Sequence, residues 1–83
     1  MPIPTLPGKV RFDEAEFRTI TDALGCTDDR QRAAALGVSE STYSRLVSGE
    51  IEPGERVIRA FLARFPQIDP RRVFRYDPNA TAR

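Results

Sequence analysis

The chain has no histidine and a single cysteine, Cys26, among its 83 residues. One thiol makes no internal disulfide, and one thiol without histidine makes no zinc site. No apolar run approaches the ~18 residues that cross a membrane. The opening MPIPTLPGKV has no basic stretch followed by an apolar one, so no secretory signal is expected and the expected location is the cytoplasm. No nucleophile stands beside a base and no nucleotide-binding loop is present, so neither catalysis nor a metal, cofactor or small-molecule ligand is expected. Strand signals are nearly absent and no segment repeats. The expected class is therefore all-α, in one domain.

What is present is an ordinary 40% of hydrophobic residues and a net charge of +1 that hides an asymmetry. Residues 1–29 are net −3, residues 30–55 net −1 and residues 56–83 net +5. Basic surface gathers late in the chain, which suits phosphate contact, although the overall balance is weak for a nucleic-acid binder. A chain this short buries only about 60% of its unfolded surface, so the core must come from helix packing, helped by a partner subunit.

Residues 1–11 hold three prolines and a glycine and read as an extended or disordered arm. A domain is expected over 12–76, with a loose tail over 77–83. Asp13 and Glu16 have the spacing of a capping box, and Phe12 and Phe17 that of a hydrophobic staple. They predict a first helix over 13–24, with Phe17, Ile20 and Leu24 on one face and Gly25 as its stop. Thr27 or Asp28 caps a second helix over 28–36, whose inward residues are Ala33 and Leu36 and whose stop is Gly37. Ser39 caps a third over 40–48, with Tyr43, Leu46 and Val47 inward and Gly49 at its end. Val57, Ile58, Phe61, Leu62 and Phe65 make the apolar stripe of a fourth. Asp69-Pro70 starts a short fifth over 70–74 that buries Val73 and Phe74.

The segment AAALGVSESTYSRLVSGE, residues 33–50, decides the functional reading. Two short helices meet at a glycine. The small Ala33 lets them approach closely, Gly37 lets the backbone turn, and Leu36 and Leu46 fill the angle between them. The outer face of the second helix is left with small polar side chains and Arg45. Residues 30–66 resemble the Cro/C1-type, or XRE-like, helix-turn-helix domain of phage repressors and bacterial regulators. The resemblance is carried by Gln31, Ala33, Leu36, Gly37, Val38, Ser39, Ser41, Thr42, Leu46, Ser48, Gly49, Pro53 and the apolar helix 57–65. The helix order extends it to about 12–74, and FLARFPQIDPRRVFRY looks like the ending of small actinobacterial or actinophage members.

The resemblance implies a compact five-helix, lambda-repressor-like domain whose second and third helices form the helix-turn-helix. It implies a sequence-specific regulator of transcription, most simply a repressor on an operator, acting in the bacterial nucleoid or a phage-infected host. By the same resemblance, Ser39, Glu40, Ser41, Thr42, Ser44 and Arg45 face bases, and Arg30, Gln31, Ser48 and Arg56 face phosphates. The expected partner is double-stranded DNA, bound by a homodimer expected to join through Phe74, Arg75 and Tyr76. Three positions depart from the family pattern. Arg32 replaces an apolar residue, its stem expected to pack and its head to reach solvent. Tyr43 replaces a branched aliphatic, its hydroxyl expected to find a partner. Glu50 often corresponds to a basic residue, and with Glu52 and Glu55 it would repel phosphate. Those glutamates favour the alternative, a protein-interaction module on the same fold, antitoxin-like or an adaptor.

Overall fold

The computed structural model describes residues 8–79. In chain order these form β1 (Lys9–Phe12), α1 (Glu14–Ala23), α2 (Asp29–Ala35), α3 (Glu40–Ser48), α4 (Glu55–Arg64), a 3-10 turn (Pro70–Arg72) and β2 (Phe74–Asp77). Residues 1–7 of the expected arm and 80–83 of the expected tail lie outside the described residues.

The fold is mixed α and β: four α-helices and a two-stranded antiparallel sheet, not the all-α five-helix domain expected. β1 pairs with β2 in the register Lys9↔Asp77 to Phe12↔Phe74. The expected fifth helix shrinks to the 3-10 turn, and Phe74 belongs to β2. Two four-residue strands are too short for periodicity to reveal, and a lone strand pair is marginal in water. Tertiary contacts hold this one. Phe12 and Phe74 face each other at 6.1 Å between ring centroids. Arg11 pairs with Asp77 and Arg75 with Asp13, each at 2.9 Å. The Glu52 carboxylate accepts the Val10 N–H at 2.8 Å. Gly8 lets the chain enter the sheet: at φ +91°, a Cβ there would stand 2.3 Å from the Asp77 carbonyl oxygen.

The core is an aromatic cluster. Phe17 is fully buried, and its ring centroid lies 5.2 to 6.3 Å from those of Phe12, Tyr43, Phe61 and Phe65. Leu36, Leu46 and Val73 close it. Burying side chains of this size contributes roughly 1.5–3 kcal/mol each. Three residues expected inward are not. Leu24 is 64% exposed, Leu62 48% and Val47 37%. Leu24 is the residue that ends α1 and has left its helical face. Val47 and Leu62 each follow a buried residue, about 100° further round the helix, and fall past the edge of the covered side.

The staple of α1 forms as expected, but the capping box only in part. Asp13 accepts the Glu16 N–H at 3.1 Å, whereas the Asp13 N–H goes to the Val73 carbonyl at 2.7 Å. The Glu16 carboxylate is taken by Arg72 instead. A pairing across the fold replaces a local cap, and it ties the 3-10 turn to α1.

Candidate nucleic-acid interface

α2 and α3 pack directly on each other. Asp28, rather than Thr27, caps α2 by accepting the Gln31 N–H at 2.9 Å. The Gln31 side-chain oxygen reaches back to the Thr27 N–H at 2.5 Å, which closes a reciprocal cap. Gly37 then turns the chain at φ +68°, in the left-handed region that a side chain resists. Ala33, Leu36 and Leu46 lie in the angle between the helices, all at most 1% exposed.

Arg32 fastens this unit to α1. Its head does not reach solvent as expected; the residue is 5% exposed. The guanidinium donates to Asp22 at 2.6 Å, Asp29 at 3.0 Å and the Thr21 hydroxyl at 3.1 Å. Burial disfavours the charge, but the bonds to Asp22 and Asp29 outweigh it, so the pKa is raised above its ordinary value. The i, i+3 spacing of Asp29 and Arg32 was visible in the sequence; Asp22, on another helix, was not. The sequence reading placed the head of this clamp in solvent.

Tyr43 also departs from expectation. It is 1% exposed, and its hydroxyl has no hydrogen-bond partner among the described residues. Burial, then the charges of Glu14 and Asp29, push its pKa up to about 12. Its ring still fills the core, edge-on to Phe12 at 5.9 Å.

With Tyr43 and Leu46 turned inward, α3 presents Glu40, Ser41, Ser44, Arg45 and Ser48 outward, all exposed. The middle of that face is serine, small enough for close approach to a groove floor. Ser39 and Thr42 are partly committed: Ser39 accepts the Thr42 N–H at 3.2 Å and donates to the Thr42 hydroxyl at 3.0 Å. Ser48 donates to the Arg45 carbonyl at 3.2 Å. Beside them, Ser39, Thr42, Gly54 and Arg56 share a depression of about 510 Å³ between α3 and the start of α4. The candidates of the α3 face and Arg56 are thus brought together, while Gln31 and Arg30 are exposed residues of α2.

Charge is divided unevenly. Arg11, Arg18, Arg32, Arg59, Arg71, Arg72 and Arg75 are all in ion pairs. Arg30, Arg45 and Arg56 make none with any described residue; the only other described cations of this kind are Lys9 and Arg64. Of the three glutamates expected to repel phosphate, Glu52 is bound to Val10 and Glu55 to Arg59. Glu55 alone of the three is in an ion pair; Glu52 accepts only a backbone N–H, and the Glu50 side chain has neither an ion-pair nor a hydrogen-bond partner among the described residues.

The three residues expected at a dimer contact separate. Phe74 turns to the core, 5.2 Å from Phe61 between centroids, while Arg75 and Tyr76 stay exposed. Among the described residues no cluster of histidine, cysteine or acidic side chains could hold a metal ion, and no helix is long and apolar enough to cross a membrane. Compared with known proteins, the chain matches no protein family, no curated protein and no solved structure.

Proposed function

We propose that the chain is a sequence-specific double-stranded DNA-binding regulator, a repressor that occupies an operator as a homodimer with α3 in the major groove. The observation that carries this reading is the distribution of unpaired cations. Seven described arginines are in ion pairs with carboxylates of this chain, and the three that the reading needs, Arg30, Arg45 and Arg56, are free of ion pairs. Arg45 lies on a serine-lined helix face and Arg56 beside it, and the serine side chains are small enough to enter a groove roughly 12 Å wide. Arg30 and Arg56, with the Gln31 amide nitrogen and Ser48, are assigned to phosphates; Arg45 and its neighbours are assigned to bases.

One such module reads only a few base pairs, so two copies on half-sites about 34 Å apart are expected. The exposed Arg75 and Tyr76 of β2 are the residues assigned to the dimer contact. Selection from a random duplex pool at low salt tests the proposal. Enrichment of a palindrome supports it, and a pool that stays random contradicts it.

A protein-interaction module is the second reading, favoured by Leu24. That side chain lies between two apolar depressions that it shares with Ile68, and no α3 residue lines either. Co-purification of a protein partner by a chain without DNA affinity would select that reading.

A further inference from the structure

We infer that α3 divides its choice of base between two flanks, Arg45 for a guanine and Glu40 for a cytosine, so that each half-site carries two separate G·C pairs. The inference rests on the DNA-binding reading. It starts from helix geometry. At about 100° per residue, Ser41 and Ser48 point opposite the buried Tyr43 and Leu46 and mark the centre of the outward face. Arg45 lies about 50° to one side of that centre and Glu40 about 90° to the other. Five residues of helix separate them by roughly 7.5 Å along the axis. That spans about two base-pair steps of ~3.4 Å, so the two side chains address different pairs.

Chemistry assigns the bases. Neither side chain has an ion-pair or hydrogen-bond partner among the described residues, so both are available to a ligand. Arg45 is a donor fork, and guanine alone presents two adjacent major-groove acceptors, O6 and N7. Glu40 is an acceptor that enters a surface of phosphates and base acceptors. It is repelled there unless it meets a donor. The donors are the amino groups of cytosine and adenine, and the N7 acceptor beside the adenine amino group repels a carboxylate. Cytosine is the base that remains. Glu40 therefore acts mainly by rejection, weakening binding to every duplex that lacks a cytosine at its position.

The test is selection from the same random pool by the full chain, by Glu40→Gln and by Arg45→Ala. Both side chains are exposed and unpartnered, so the variants keep the fold. The full chain should enrich a palindrome with two G·C columns per half-site. Arg45→Ala should flatten one column alone, with affinity for the parent site falling roughly 5- to 150-fold. Glu40→Gln should move the other column from cytosine toward adenine, which a glutamine pairs bidentately. A palindrome without these columns, or one that Glu40→Gln leaves unchanged while binding rises uniformly on all sequences, overturns the inference and leaves the DNA-binding reading standing. No enrichment by the parent chain overturns both.

Discussion

Replacing Tyr43 with phenylalanine should make the protein more stable. The residue is 1% exposed and its hydroxyl has no partner among the described residues. An unsatisfied buried hydroxyl costs roughly 1–3 kcal/mol. Phenylalanine removes that cost and keeps the ring contacts with Phe12 at 5.9 Å and Phe17 at 6.3 Å. The small void left by one oxygen takes back part of the gain, so a net increase of about 1 kcal/mol is expected. For a domain of this size that raises Tm by about 4–8 °C. Calorimetry and urea titration read it directly. The same group sets an alkaline limit. Burial holds the phenol at a pKa of about 12, above the ordinary value near 10, so the folded state keeps its proton more tightly than the unfolded chain. The sign follows: stability is full below pH 10 and falls as pH rises from 10 through 12, by roughly 1.4 kcal/mol per unit. The phenylalanine variant should lack that component of the loss. A Tyr43→Phe protein less stable than the parent refutes the reasoning, because it would give the hydroxyl a partner that contributes to the fold.

Arg32→Met should change stability by less than about 1.5 kcal/mol, because the apolar stem is kept and the half-exposed Asp22 and Asp29 rehydrate. Arg32→Ala, which also empties the space, should cost about 2–4 kcal/mol in urea denaturation. Gly8→Ala forces a Cβ to 2.3 Å from the Asp77 carbonyl oxygen, so hydrogen exchange at β1 and β2 should quicken while the α3 amides keep their protection. If Arg30 and Arg56 supply the phosphate contacts, a dimer has four. Log affinity should then fall with log salt at a slope of about −3.6, a loss of roughly 150-fold between 50 and 200 mM. A slope near −10 in the same titration would mean that paired arginines rearrange onto DNA.

The unit of α2, the Gly37 turn and α3 was legible in sequence because its determinants are local. Asp28 and Ser39 are caps, Gly37 is a turn at positive φ, and the inward residues Ala33, Leu36, Tyr43 and Leu46 recur at helical spacing. The sheet was not, because its four-residue strands come from opposite ends of the chain and are stabilised by residues distant in sequence, Glu52 among them. Arg32 was misjudged for the same reason: whether a long cation packs or snorkels depends on where Asp22 of α1 lies. Leu24, Val47 and Leu62 show the limit of apolar pattern alone. Periodicity gives a stripe, and the packing of neighbouring elements sets how wide the buried part of it is. The outward face of α3 was read residue by residue, but the freedom of Arg45 and Arg56 from ion pairs needed the folded arrangement.

The central claim is that the α3 face, with Arg30 and Arg56 beside it, is the DNA-binding surface. Amide and side-chain NMR shifts of the labelled protein, followed during titration with a duplex carrying the selected palindrome, test it most directly. The largest changes are expected at Ser39 to Ser48, Arg30, Gln31 and Arg56, and none around Leu24 and Ile68. Changes confined to the Leu24 and Ile68 surface, or a spectrum that stays unchanged at low salt, would contradict it.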